Sequence, residues 1–298
     1  MRVFVTGATG NIGSHVVKEL IGAGHRVLGL SRSKEKAVAL AAAGAEVLHG
    51  TIEDPDILKS GASQSDGVIH LAFNHDFSRF VQNCEDDRRV IATLASALAG
   101  SARPLVITSG TPIANTIPDE PAREDNPIVG SDTHPRAASE EAGNLASEIG
   151  VNVSVVRLPQ VHDPVSQGLI TPLIEIFRQK GVCAYIEDGL NRWPAAHFTD
   201  VARLYRLVVE RAEPNAKYHA VAEEGVPMRD IAEILGRRLN LPVKSVGRQE
   251  AQEYFGWLSM FATRDMPASS AKTRQKLGWE PKGPKLLDDL AELQVSAA

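Results

Sequence analysis

The sequence predicts an α/β protein, a doubly wound parallel sheet with a smaller C-terminal lobe. Three observations lead there. Short apolar runs alternate with helix-patterned stretches through the first half of the 298 residues. A glycine-rich turn stands between the first such run and the first helical stretch. The alternation loosens after Pro159, where a second unit is expected.

Val3-Phe4-Val5 is the first strand, followed by a helix over residues 11–23. Val27–Leu30 is the second strand, 34–43 a helix, and Glu46-Val47-Leu48 the third strand. Gly67–Ala72 makes the fourth, with a long helix over 76–99 behind it. The mixed run Glu85-Asp86-Asp87-Arg88-Arg89 in that helix reads as a solvated face. Pro104–Thr108 is the fifth strand, 136–149 a helix, and Val153–Leu158 the sixth strand. Beyond it come a helix near 169–180, a short strand at Cys183–Ile186, and a helix from Phe198 with Thr199 as its N-cap. A strand at Tyr218–Val221 and an amphipathic helix over Met228–Asn240 follow.

The turn itself, Thr6-Gly7-Ala8-Thr9-Gly10-Asn11-Ile12-Gly13, carries chemistry. Gly7 permits a tight bend, Gly10 lets backbone approach a pyrophosphate, and Gly13 lets the helix pack close on the strand. The helix N-terminus then offers its N–H groups to the anion. The spacing is G-x-x-G-x-x-G rather than the commoner G-x-G-x-x-G. A strand, this turn and a helix make the fold Rossmann-like and predict a dinucleotide cofactor. An acidic residue about 20 positions further on usually accepts the ribose hydroxyls. Here the second strand ends Leu30-Ser31-Arg32-Ser33-Lys34 instead. A 2′-phosphate needs donors and positive charge, and arginine supplies a planar fork. The expected cofactor is therefore NADP(H). The expected division is a dinucleotide-binding core over 1–162, with 195–222 returning to it, and a substrate lobe from 163–194 and 223–298.

Composition narrows the field. A net charge of −5 offers no basic field for nucleic acid or anionic lipid. No apolar run reaches the length of a membrane span. Two cysteines rule out a disulfide framework and suit a reducing compartment. The first strand begins at once, so no secretory leader is expected and a cytoplasmic location is. The nine histidines lack metal-ligand spacing, so no metal is expected.

Further motifs are His70-Leu71-Ala72, Thr108-Ser109-Gly110-Thr111, the run from Arg157 to Pro164, and His197-x-x-Asp200-Val201-Ala202. With the glycine turn, their order and spacing resemble the extended short-chain dehydrogenases/reductases, the NAD-dependent epimerase/dehydratase group. The resemblance implies that Gly7, Thr9, Gly10, Asn11 and Ile12 hold the pyrophosphate, with Gly13 behind them. It implies that Ser31 and Arg32 meet the adenosine ribose and that Thr51 and Ile52 meet adenine. Leu71, Ala72 and Phe73 would line the cofactor after the fourth strand, with Thr108 nearby. Leu158, Pro159 and Val161 would face the nicotinamide. The family's catalytic Ser or Thr falls within Ser109 to Thr111.

The same resemblance implies a Tyr-x-x-x-Lys pair one helix later, the tyrosine as proton donor with its pKa lowered from about 10 by the lysine. No tyrosine precedes Tyr185. The expected place reads His134-Pro135-Arg136-Ala137-Ala138-Ser139-Glu140, which puts Arg136 and Glu140 at the two positions. Four residues apart on one helix face, they are expected to pair as ions. The chain thus resembles an atypical member of its group. General acid–base help is worth about 10²–10⁴ in rate, whereas positioning supplies roughly 7–11 kcal/mol. A reductase survives the loss. Ser109 and Thr111 are the candidates to polarise a carbonyl. A lone histidine is more often structural than catalytic, yet His162 is the first candidate proton donor because it follows the strand expected to face the nicotinamide. His134, Arg136 and His197 come after it.

Aromatic residues concentrate in Asn191–Pro194 and Phe255–Phe261. Such spacing is more often helix core than pocket wall. In a chain with 5% aromatics it nonetheless points to Trp193, Trp257 and Phe261, with Arg136, as contacts to an apolar or ring-containing ketone. The expected function is an NADPH-dependent ketoreductase acting on a small or mid-sized organic carbonyl compound. A nucleotide-sugar epimerase or dehydratase is the second reading, and the absent Tyr and Lys weigh against it. A non-catalytic NADP(H)-sensing regulator is the third. No nucleic-acid or membrane partner is expected, and a homodimer is the assembly considered.

Overall fold

The computed structural model describes residues 1–294. Its strands are β1 (Arg2–Thr6), β2 (Arg26–Ser31), β3 (Glu46–His49), β4 (Gly67–His70), β5 (Leu105–Gly110) and β6 (Val153–Leu158). There follow β7 (Gln160–His162), β8 (Cys183–Ile186), β9 (Arg192–His197), β10 (Lys217–His219), β11 (Glu223–Pro227) and β12 (Val243–Val246). The helices are α1 (Asn11–Gly22), α2 (Lys34–Ala42), α3 (Pro55–Ser63), α4 (Phe80–Leu98), α5 (Ala138–Glu148) and α6 (Ile170–Lys180). After these come α7 (Phe198–Arg211), α8 (Met228–Leu239), α9 (Ala251–Phe255), α10 (Ser259–Ala262), α11 (Ala271–Leu277) and α12 (Leu286–Ala291).

Seven strands form one sheet in the order β10-β6-β5-β4-β1-β2-β3, every pairing parallel. Parallel strands need crossover helices, so both faces are covered and the strands are apolar on both sides. On one face Val3, Val5, Val106 and Val156 pack with Val16, Val17 and Leu20 of α1 and Val201, Leu204 and Val208 of α7. On the other, Phe4, Val68, Leu105 and Ile107 pack with Leu58 of α3, Ile91 and Leu94 of α4, and Ala142 and Ala146 of α5. The strand order reverses between β1 and β4. In open α/β sheets that switch point, at the carboxyl ends of the strands, is where ligands bind.

The C-terminal elements bury an apolar cluster of their own, built on Phe177, Ile186, Trp193, Ile231, Leu235, Phe255 and Leu286. There β11, β9 and β7 form one small sheet, and β12 pairs with β8.

Several expectations change in detail. Helix α3 was not foreseen, although Asp54 caps it by accepting from the Asp56 and Ile57 N–H groups and Pro55 opens it. The long helix begins at Phe80, not residue 76. Asp76 instead caps a single 3₁₀ turn over Phe77–Arg79. The cap of α7 is His197, whose ring nitrogen accepts from the Thr199 N–H at 3.2 Å, and not Thr199 itself. Strands β7, β11 and β12 are short, and the six-residue β9 carries a proline and little alternation, so the sequence pattern does not reveal them. Cys84 and Cys183 are both buried and free. Among the described residues no helix is long and apolar enough to cross a membrane, and no cluster of metal-ligating side chains occurs.

Candidate active site

Gly7 bends the chain after β1 with φ of +68°, a conformation open to glycine. A Cβ there would lie 2.7 Å from the Ala72 backbone nitrogen. At Gly13 it would lie 2.0 Å from the Gly7 carbonyl oxygen. The bend therefore has no room for side chains, and backbone is what it presents. Helix α1 starts at Asn11 with Gly10 at its N-cap and no side-chain cap, leaving its leading N–H groups for an anion. Gly13→Ala is expected to weaken dinucleotide binding at least about tenfold, roughly 1.4 kcal/mol. An unchanged dissociation constant by fluorescence titration would refute this role of the turn.

Beside the turn, Ser31, Arg32, Lys34, Val38, His49 and Thr51 line an open hollow of about 710 Å³. Arg32 and Lys34 are exposed and have no carboxylate partner among the described residues. Two more polar side chains of the hollow are engaged locally. Ser31 Oγ donates to the Ser33 carbonyl, and Thr51 Oγ1 accepts from the Glu53 N–H. Ile52 is half-buried and packs against the sheet's apolar cluster. Asn11 reaches across to donate to Ser166 Oγ at 2.6 Å, tying the turn to the loop beyond β7. The uncapped helix and tight glycine bend fit a dinucleotide pyrophosphate, and the cationic hollow fits the adenosine end.

At the switch point a chain of hydrogen bonds runs inward. The Leu71 and Ala72 N–H groups donate to Thr6 Oγ1. That hydroxyl meets His70 Nδ1 at 2.7 Å, and His70 Nε2 meets Asp87 at 2.9 Å. With Asp87 ionised, His70 Nε2 donates to it. Asp87 is buried, which alone would raise its pKa. The charge of Arg136, with His70 and Ser139 hydrogen bonds, outweighs that and holds the carboxyl well below its ordinary range.

Arg136 completes the chain. Its Nη1 donates to Asp87 at 2.7 Å and to Ser139 Oγ, and its Nη2 donates to the Thr108 carbonyl at 2.9 Å. A guanidinium has five N–H donors. Nε–H and one Nη2–H therefore remain without an acceptor among the described residues. The guanidinium carbon lies 4.2 Å from the centre of the Phe73 ring, and the side chain is 14% exposed. Phe73 follows β4 and Thr108 lies near the end of β5, so this clamped cation sits at the carboxyl ends of the strands.

The expected Arg136–Glu140 pair does not form. Arg136 precedes α5 in a 3₁₀ turn and reaches to α4, while Glu140 grips Arg157 of β6 in a buried fork at 2.8 and 2.9 Å. Ser109 Oγ is buried with no hydrogen-bond partner. Thr111 is buried and donates weakly to the Leu158 carbonyl, which occupies its hydroxyl. Thr108 Oγ1 donates to the His70 carbonyl and meets Tyr205. Leu158 and Pro159 are half-buried at the adjacent strand end, and Val161 is buried.

His162 departs from its expected role. It is fully buried against α12, with Nδ1 2.6 Å from Asp289 and Nε2 unpartnered. With no exposed surface, it cannot reach a substrate in the cleft. His134 accepts the Arg136 N–H, and burial, then the charges of Arg264 and Arg136, lower its pKa. It is neutral near pH 7 and a poor proton reservoir. Trp193 is also corrected: it is core, its indole N–H donating to the Phe261 carbonyl at 3.3 Å. Trp257 is 40% exposed and stacks on Phe77, while Phe261 is buried and meets Phe77 in a T-shaped contact.

Asp87 and Phe77 are the residues that sequence reading missed. Asp87 hid in a charge run. Helical phase marks it, since Asn83, Cys84, Asp87, Val90 and Ile91 recur three and four apart and all face inward.

The fold and the turn at its switch point define a dinucleotide-binding α/β enzyme. The chain belongs to the NAD dependent epimerase/dehydratase family, whose model matches residues 3–222. Members are nicotinamide-dependent enzymes acting on alcohol and ketone groups. The uncharacterized protein C2A9.02 of Schizosaccharomyces pombe is 45% identical over 98% of both chains. A 4-hydroxy-2-methyl-3-oxo-4-farnesyl-3,4-dihydroquinoline-1-oxide ketoreductase of Stigmatella aurantiaca is 25% identical over 79% of this chain and 72% of its own. Among solved structures, DesIV, a dTDP-glucose 4,6-dehydratase of Streptomyces venezuelae with NAD and TYD bound, shares the fold. Its TM-score is 0.78 at 20% identity, over 98% of this chain and 95% of that one.

Proposed function

We propose that this protein is an NADPH-dependent ketoreductase in which Arg136 does the work of the family's acidic tyrosine. The clamped guanidinium with two N–H groups to spare carries the proposal. Gly7 to Gly13 hold the pyrophosphate, and Arg32 and Lys34 take the 2′-phosphate. The cofactor, once bound, supplies a hydride. Arg136 donates to the substrate's carbonyl oxygen and meets the negative charge that develops there. Asp87, Ser139 and the Thr108 carbonyl hold the guanidinium plane, so little reorganisation accompanies reaction. An arginine does not deprotonate, so the proton comes from water.

The ketoreductase relative supports this reading. The DesIV likeness points toward nucleotide sugars, but Arg192 of the C-terminal lobe is engaged by Asp265 at 2.7 Å rather than free for a diphosphate. Two free, buried cysteines suit a reducing, cytoplasmic compartment. The test is NADPH oxidation against a panel of ketones. Tight NADPH binding with no turnover on any of them would replace the reductase with the sensor. Arg32→Asp is expected to move the NADPH-to-NADH ratio of kcat/KM toward NADH about tenfold or more. A ratio that stays put removes Arg32 from phosphate recognition.

A further inference from the structure

Rings gather beside Arg136, three of them, Phe73, His75 and Phe77, from the segment between β4 and α4. Phe73 lies beneath the guanidinium and meets His75 and Phe80 edge-on, at 5.2 and 6.4 Å. Phe77 lies 5.5 Å from Phe80. It stacks on Trp257 at 4.2 Å with ring planes 14° apart, so the wall continues into the C-terminal lobe. Phe261 closes it, 6.3 Å from Phe77. Four of the chain's eight phenylalanines stand in this wall.

From this wall we infer that the substrate is an aryl ketone, with a flat ring conjugated to the carbonyl that Arg136 holds. The inference rests on the reductase reading and names its substrate class. Aromatic faces are electron-rich and aromatic edges electron-poor, so a wall of rings favours another ring over an aliphatic group of equal area. Phe73, Phe77, Phe80 and Trp257 all keep part of their surface open to solvent. Conjugation also moves electron density onto the carbonyl oxygen, which suits a charged donor. The carbonyl carbon takes the hydride, the π pair moves to oxygen, and water delivers the proton, leaving an aryl carbinol.

The experiment compares acetophenone with cyclohexyl methyl ketone in the intact protein. Each ring contact is worth roughly two- to tenfold. Wild type is expected to prefer acetophenone in kcat/KM by about tenfold or more, and Trp257→Leu and Phe77→Leu to bring the pair toward parity. Trp193 and Trp279 are buried and Trp257 is exposed. Acetophenone should therefore quench tryptophan emission saturably in wild type and not in Trp257→Leu. Equal efficiency on both ketones, with no saturable quenching, overturns the aryl site and leaves the reductase standing. Saturable quenching without turnover of any ketone supports the aryl site and overturns the reductase.

Discussion

Arg136→Met is expected to lower kcat for ketone reduction by about 10²–10³-fold, the cost of removing a donor to a developing oxyanion. NADPH affinity should change little, because the glycine turn and the Arg32 hollow lie apart from residue 136. Arg136→Lys keeps a positive charge but loses the planar fork, so it should recover only a small part of the rate. The substitution also strips Asp87 of its charge partner. Removing one member of a buried pair costs about 3–5 kcal/mol, so folding and catalysis must be separated. Arg136→Met combined with Asp87→Asn does this, since it removes both charges. Restored thermal stability with kcat still depressed places the guanidinium in the chemistry. If kcat in the double variant returns to within about threefold of wild type, Arg136 is structural and the proposal for its oxyanion role fails.

Arg157→Met should destabilise the protein by about 3–5 kcal/mol. Arg157 and Glu140 are nearly inaccessible, joined by two hydrogen bonds at 2.8 and 2.9 Å. Arg157 Nη1 also donates to the Glu124 carbonyl and to His219 Nε2, both at 3.2 Å. Burial, then the neighbouring Arg157 charge, depresses the His219 pKa to about 3, so the ring stays neutral and accepts. Removing the guanidinium leaves the Glu140 carboxyl group without its fork partner in a low-dielectric interior. Glu140→Leu with Arg157→Met removes both charges and should recover most of the loss, since apolar replacements of buried pairs are often neutral or stabilising. Denaturant midpoints measure both variants. Additive losses in the pair would show that the two residues contribute separately rather than as an ion pair.

The glycine turn and the parallel sheet were legible because their signals are local. Gly7, Gly10 and Gly13 lie within one turn and one helical start, and the strands are continuous apolar runs. Arg136 was also legible as an oddity, since it stands where the family resemblance implies a tyrosine. Its partner was not, because helix α4 lies about fifty residues back in the chain. Spacing of four suggested Glu140, but Arg136 precedes the regular part of α5, and the helical i,i+4 rule does not reach it. His162 read as a candidate acid because strand order put it near the nicotinamide. What α12 covers is a matter of tertiary packing, and a chain segment 127 residues later decided it. The aromatic wall was half legible: Trp257 and Phe261 stood out, whereas Phe77 and Phe80 were absorbed into a helix that starts later than its pattern suggests.

The two buried ion pairs bear on engineering. Installing a tyrosine and a lysine with Arg136→Tyr and Glu140→Lys would strand Asp87 without its cation and set the new ammonium against Arg157. Each change alone carries a penalty, and the two together carry both. The four positions are thus coupled, and a tyrosine–lysine pair enters this site at small cost when Asp87 and Arg157 change with it.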